Sequence, residues 1–294
     1  MVVVAAGNNG RYQPTDGYAT ITSPGNDPYV ITVGAMKPMG TLTRVDDLIA
    51  SYSSKGPTVA DAVVKPDIVA PGNLLVSLEA PGSTLYTQNP GNRVPNNYYI
   101  NGGNSSSSST YFTLSGTSMA TGVVSGVVAD VLQKSPSLTP DQVKTRLMKT
   151  AWKSLPAFSS TTDPTTGITY TDPYDVFTIG AGYVDVEAEL SNTDVARGTA
   201  MSPIATFNGT TDQVSMTDDP SAVWNKSTAF SNAAVWGSSQ FVTGTSAASS
   251  SNAASGSSTT SGSNVLWGSD SVWGSNVLWG SNVLWGSNVS GGEN

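Results

Sequence analysis

Three short apolar runs, each stopped by glycine or by proline-glycine, constrain this chain more than any other feature. Val2–Ala6 ends at Gly7, Tyr29-Val30-Ile31-Thr32-Val33 ends at Gly34, and Asp67-Ile68-Val69-Ala70 ends at Pro71-Gly72. Runs without polar alternation suit strands buried on both faces, as in a parallel sheet between helices. A helix is expected from about Ser118 to Leu132. Its Met119, Val123, Val124, Val127, Val128, Val131 and Leu132 spread around most of the circumference, so it reads as a buried helix. Gly122 and Gly126, four apart, fit close approach of a neighbour. A second helix is expected from Pro140 to about Trp152. Thr139 is its N-cap and Gln142 completes a capping box, while Val143, Leu147 and Ala151 form one stripe. Residues 1–190 therefore read as an α/β body, with residues 80–112 as a long polar surface loop.

Beyond the body the composition changes. Residues 191–226 read as a transition. Residues 227–294 hold only two charges, Asp270 and Glu293, and are rich in Ser, Gly, Asn and Ala. A six-residue unit repeats there, marked by Trp267, Trp273, Trp279 and Trp285. Such a repeat fits a low-complexity extension, or a surface-attachment or glycan-binding tail. The net charge of −8 excludes a basic nucleic-acid footprint. No apolar run is long enough for a membrane span. The chain has no Cys and no His, so disulfides, thiolate chemistry and imidazole catalysis cannot come from these residues.

Ser115-Gly116-Thr117-Ser118-Met119-Ala120 places a hydroxyl at the entrance of the first helix. A nucleophile there lies near positive partial charge and unpaired backbone N–H groups. Taken alone, the segment reads more readily as a helix cap than as a nucleophile, since Ser and Thr before a helix are usually caps. It is accompanied, in order, by Ala5-Ala6-Gly7-Asn8-Asn9-Gly10, Val33-Gly34-Ala35, Tyr52-Ser53-Ser54-Lys55-Gly56-Pro57, Lys65-Pro66-Asp67-Ile68-Val69-Ala70-Pro71-Gly72 and Gly180-Ala181-Gly182-Tyr183-Val184-Asp185. Over about residues 2–190 this set resembles the C-terminal half of the catalytic domain of subtilisin-like serine peptidases, the subtilases.

The resemblance implies a three-layer α/β/α sandwich with a mostly parallel sheet. It implies Ser118 as the nucleophile and Asn8 as the side-chain oxyanion donor, beside the N–H of Ser118. Ala5, Ala6 and Gly7 would line one wall of the specificity pocket, with Thr22 near its base. The family's chain order is Asp, His, Ser. Here the oxyanion Asn is already residue 8 and no His exists. The expectation is an N-terminally truncated sheet with an open edge, its Asp and His lying upstream of Met1. The function implied is a secreted serine endopeptidase acting on proteins or peptides, with this chain inactive alone. The alternative is a non-catalytic secreted surface or glycan-binding protein working through the Trp repeat. No cofactor is implied. Calcium, which many subtilases bind, has no identifiable ligand set here: Asp46-Asp47 lacks EF-hand spacing and reads as a solvated loop. Asp67 reads as structural, Lys55 as exposed, and Asp163 and Asp172, each before Pro, as turn starters.

Overall fold

The structure, a computed structural model, describes residues 1–80, 82–208, 213–237 and 260–261. Its main sheet is built from the three apolar runs. β1 (Val3–Ala5), β2 (Ile31–Lys37) and β4 (Ile68–Pro71) are parallel, with β2 central. The short β3 (Leu48–Ile49) pairs antiparallel with the end of β2. All seven residues of β2 are buried, as expected for a strand covered on both faces.

In chain order, a small antiparallel sheet comes between β4 and the first long helix. It comprises β5 (Leu75–Leu78), β6 (Arg93–Pro95) and β7 (Ser107–Leu114), with the short helix α1 (Thr84–Gln88) between β5 and β6. The expected polar loop over 80–112 is thus largely ordered. Its alternation escaped the sequence reading because Ser108 and Phe112 face inward from a run of Ser and Thr.

α2 (Thr117–Lys134) and α3 (Pro140–Thr150) cover one face of the main sheet. Ala120, Val124, Val127, Val128 and Val131 of α2 and Val143 and Leu147 of α3 meet Ile31, Val33, Ala35, Ile68 and Ala70. The capping box of Thr139 and Gln142 opens α3. α2 departs from expectation on its other side. Gly122, Ser125, Gly126 and Ala129 are exposed, and a Cβ at either glycine meets nothing within 4 Å. Its valines therefore serve one face only, and among the described residues no neighbour uses the glycines.

The opposite sheet face, with Met36 and Val69, packs on Tyr174, Ile179 and Tyr183. These follow the hairpin of β8 (Phe158–Thr162) and β9 (Thr169–Pro173) and flank or end α4 (Val176–Ile179). Asp172 lies within β9, buried in an ion pair with Lys55, rather than starting a turn. Lys55 is likewise buried, its Nζ donating to Asp16 O at 2.6 Å. Asp47 is buried too, accepting from Tyr183 Oη at 2.9 Å and from Met39 N–H at 3.0 Å, so it is not part of a solvated acidic loop.

Residues 191–237 differ most from their sequence reading. After α5 (Val186–Ser191), the β10 (Ile204–Asn208) and β11 (Gln213–Thr217) hairpin and α6 (Asn232–Trp236) build a second core on the body. Ala205, Val214, Val223, Trp224, Phe230, Val235 and Trp236 pack there with Val64, Met148, Val176 and Phe177. Trp224 and Trp236 meet edge to face, centroids 4.7 Å apart. The segment taken as a transition is thus part of the body, and a boundary at 227 cuts through its core. Isolated tryptophans and small residues bury here without a periodic pattern, which hid the packing. The Trp repeat of 264–287 lies outside the described residues.

A buried charge cluster sits at the amino ends of β2 and β4. Asp67 accepts from Lys65 Nζ at 2.7 Å, Ser202 Oγ at 2.6 Å and Thr32 N–H at 2.8 Å, with Lys144 Nζ at 3.1 Å. Lys144 also donates to Pro28 O, Val30 O and Ser202 Oγ. Burial works to raise the Asp67 carboxyl, but Lys144 and Lys65 hold it below its ordinary value. Burial pushes the Lys144 ammonium down to about 7 against the pull of Asp67.

Candidate active site

The site is assembled at the carboxyl end of β1, the end at which open α/β sheets place their ligands. Ala6 N–H still bonds to Val33 O at 2.9 Å, so the strand holds to that point. Gly7 then turns the chain away with φ +108°, a conformation that disfavours any side chain. A Cβ there would also press on Ser54 Oγ at 2.9 Å. The loop that follows is pinned on the 50s segment. Ser54 N–H donates to Gly7 O at 2.9 Å, Asn9 N–H to Ser54 Oγ at 3.0 Å, and Gly10 N–H to Tyr52 O at 2.8 Å.

Asn8 is exposed within this pinned loop and joined to the start of α2. Its Oδ1 accepts from Thr117 N–H at 2.9 Å and from Thr117 Oγ1 at 3.0 Å. Thr117 Oγ1 in turn accepts Gly7 N–H at 3.1 Å. With its oxygen engaged, the Asn8 amide has Nδ2 left to donate, and this group has no acceptor among the described residues. Gly116, at φ +151°, keeps the adjacent space open, since a Cβ there would lie 3.4 Å from Asn8 Nδ2.

Ser118 is the exposed second residue of α2. The N–H groups of a helix's first turn lack intrahelical acceptors. That of Thr117 is taken by Asn8, and those of Met119 and Ala120 bond to Gly116 O. The Ser118 N–H has no acceptor among the described residues. Two donors without an acceptor among the described residues, Asn8 Nδ2 and Ser118 N–H, therefore lie at the positive end of an 18-residue helix, on residues joined through the Asn8–Thr117 bond. Such an arrangement can stabilise an oxyanion formed beside Ser118. The Ser118 hydroxyl has no hydrogen-bonded base among the described residues.

The remaining expected residues lie along the same strand end. A Cβ on Gly25 would stand 3.1 Å from Ala5 O and 3.2 Å from Thr22 O, so the loop carrying Thr22 abuts β1. Ala6 is buried, Ala5 and Gly7 are half-buried, and Thr22 is exposed. The sequence reading missed Thr117 and Ser54, whose hydroxyls fix the Asn8 loop. Both stand inside quoted motifs, but only the tertiary contact assigns them work. Among the described residues no cluster of three or more His, Cys, Asp or Glu is arranged to hold a metal ion. No helix there is long and apolar enough to cross a membrane.

Compared with known protein families, residues 1–182 match the subtilase family. The serine protease AprX of Bacillus subtilis is 44% identical over 144 residues, a match covering 49% of this chain and 28% of that protein. The subtilisin-like protease SBT3.9 of Arabidopsis thaliana is 32% identical over 145 residues, covering 49% of this chain and 16% of that protein. Among solved structures, fervidolysin from Fervidobacterium pennivorans, a keratinolytic enzyme related to subtilisin, aligns with a TM-score of 0.43 at 27% identity, over 72% of this chain and 24% of that one. The chain thus matches about a quarter or less of the length of these relatives. Because the family match takes in more than half of its residues, this chain belongs to the subtilase family.

Proposed function

We propose that this chain supplies the nucleophile and the oxyanion donors of a serine endopeptidase. The observation that carries the reading is the pair of donors without an acceptor among the described residues, Asn8 Nδ2 and Ser118 N–H, brought to the start of α2 by the Asn8–Thr117 bond. Ser118 attacks the scissile carbonyl to form an acyl-enzyme, and the two donors hold the tetrahedral oxyanion. Ala5–Gly7 and Thr22 form part of the wall against which the substrate side chain rests. Substrates are proteins or peptides, met outside the cell.

A serine hydroxyl needs a base to take its proton at neutral pH. The family's base is an imidazole oriented by a carboxylate, and this chain has no His. Catalysis therefore requires residues beyond these 294. The uncovered face of α2, which runs from Ser118 through Gly122, Ser125, Gly126 and Ala129, suits a closely packed segment carrying them.

Labelling with a fluorophosphonate probe tests this reading. The isolated chain is expected to remain unlabelled and to leave peptides uncleaved. A longer form with an Asp and a His motif joined upstream is expected to label at Ser118 and to cleave, and both are lost in Ser118→Ala. Labelling of Ser118 in the isolated chain would mean that another group acts as base. A longer form that never labels would remove Ser118 as nucleophile.

A further inference from the structure

Arg11 stands in the turn that follows Asn8, where Tyr12 N–H donates to Asn9 O at 3.1 Å. The chain from Asn9 to Arg11 is laid along residues 51–54. Beyond the Asn9 and Gly10 bonds to Ser54 and Tyr52, Arg11 Nε donates to Ser51 Oγ at 2.8 Å. A second element reaches the same side chain, the β8–β9 hairpin. Arg11 Nη1 donates to Asp163 Oδ2 at 2.8 Å, and the guanidinium lies 5.1 Å from the centroid of the Tyr170 ring. Asp163 is prepared for this partner by its own turn. Its Oδ1 accepts Thr165 N–H at 2.8 Å, its N–H donates to Ile168 O at 2.9 Å and its carbonyl accepts Gly167 N–H at 2.8 Å, which leaves Oδ2 for Arg11. The Thr165 N–H foremost, with the Thr166 N–H and the Arg11 charge, holds the Asp163 carboxyl below its ordinary value. The side chains of the pair are 29% and 13% exposed, so water screens it only in part. A charge-assisted bond of this kind is about twice as strong as the neutral bonds to Ser51, Tyr52 and Ser54.

The base of the same hairpin holds the far end of the loop. Asp172 of β9 pairs with Lys55, whose Nζ donates to Asp16 O. Gly17 N–H donates to Tyr12 O at 3.1 Å, and a Cβ on Gly17 would stand 2.1 Å from Gly10 O, so the far end is packed back on the near one. The motifs that carry the subtilase resemblance include neither Arg11 nor the hairpin. We infer that Arg11 is a positioning residue for Asn8: through Asp163, the β8–β9 hairpin holds the turn after Asn8 and keeps the Asn8 amide in register with Thr117. The inference rests on the reading of Asn8 as oxyanion donor. Asn8 is exposed, and its bond to Thr117 joins two separate elements. A turn free to lift by about 1 Å would stretch that bond beyond hydrogen-bond range and carry Nδ2 with it.

Amide hydrogen exchange in the 294-residue chain, read residue by residue by NMR, tests this. Thr117 N–H reports on the bond to Asn8, and the amides of Leu147 and Met148 inside α3 report on the fold as a whole. Arg11→Ala removes the guanidinium. Asp163→Asn keeps an acceptor for Thr165 N–H and turns an amide NH2 towards Arg11, so the hairpin turn survives while the link is lost. Each variant is expected to speed Thr117 exchange by about tenfold, the scale of one lost hydrogen bond, with α3 unchanged. In the longer form, Arg11→Ala is expected to lower kcat by about tenfold with little change in KM, and to cost nothing further in an Asn8→Ala background. Thr117 exchange unchanged in both variants overturns the inference, and so does an equal rise at Leu147 and Met148, which would mark general destabilisation. Additive kcat losses in the double variant also overturn it, since Arg11 would then act by another route. Faster Thr117 exchange alongside an Asn8→Ala variant with unaltered kcat refutes the oxyanion donor and leaves Arg11 as the residue that holds the loop.

Discussion

Asn8 Oδ1 accepts the backbone N–H of Thr117 at 2.9 Å, tying the end of β1 to the first turn of α2 across 109 residues of sequence. The bond fixes which end of the Asn8 amide faces outward. With the oxygen turned to Thr117, the Nδ2 group is the one left to donate.

In the catalytically complete protein, Asn8→Ala is expected to lower kcat by about 10²–10³, the scale for loss of one oxyanion donor, with little change in KM. Thr117→Val keeps the shape but loses the hydroxyl that bonds both Gly7 N–H and Asn8. A smaller kcat loss of about tenfold is expected, as for one misaligned hydrogen bond, and Thr117→Ser restores it. A KM effect alone, or no rescue by Ser, would show that Thr117 does not position Asn8.

The charge cluster at Asp67 should dominate the stability of the body. Asp67→Asn leaves the buried Lys65 and Lys144 without their carboxylate and is expected to cost about 3–5 kcal/mol. Ser202→Ala removes one hydrogen bond to Asp67 and is expected to cost about 1–3 kcal/mol. Urea unfolding measures both, and equal effects would contradict the ranking.

Burial pushes the Glu189 carboxyl up to about 7, above an unfolded value of about 4.3. Between these values the folded state binds the extra proton. Stability from this group is complete below about 4.3 and is lost as pH rises towards 7, with a slope of at most about 1.4 kcal/mol per pH unit. Glu189→Gln should flatten that limb of the stability profile. Burial also pushes Asp175 up to about 6, which gives a slope of the same sign that survives in the variant. An unchanged profile in Glu189→Gln would show that Glu189 is ionised in the fold.

Burial pushes Lys144 the other way, down to about 7 from an unfolded value of about 10.4. The unfolded state then binds more protons between these values, so stability from this group rises from pH 7 to about 10.4. Lys144→Met should lessen that rise in urea midpoints, while burial also pushes Lys153 down to about 8, which gives a slope of the same sign that survives in the variant. A rise undiminished in Lys144→Met would assign it wholly to other groups.

Trp236→Ala opens the second core beside Trp224 and is expected to destabilise the protein by about 3–5 kcal/mol. Ending the chain at 226 removes Phe230, Val235 and Trp236 together and should be worse. A thermal midpoint unmoved by either change would return residues 227–237 to the status of a tail.

The local sequence determined the pieces of this fold. Apolar runs ended by Gly or Pro-Gly became β1, β2 and β4, and Thr139 with Gln142 opened α3, because strand burial and capping depend on neighbours a few residues away. The ordered motifs pointed to Asn8 and the start of α2 as neighbours, and the Asn8–Thr117 bond joins them. What they could not contain was the contact across 109 positions that turns the Asn8 amide, or the burial of Lys55, Lys65 and Lys144. A lysine reads as exposed until the chain closes a carboxylate and carbonyls around it. The same holds for residues 196–236, where tryptophans and alanines scattered through a polar stretch became core only against Val64, Met148 and Phe177. Periodicity records which face of one element is buried; it carries no record of burial assembled from distant single residues, and that was decided by tertiary packing alone.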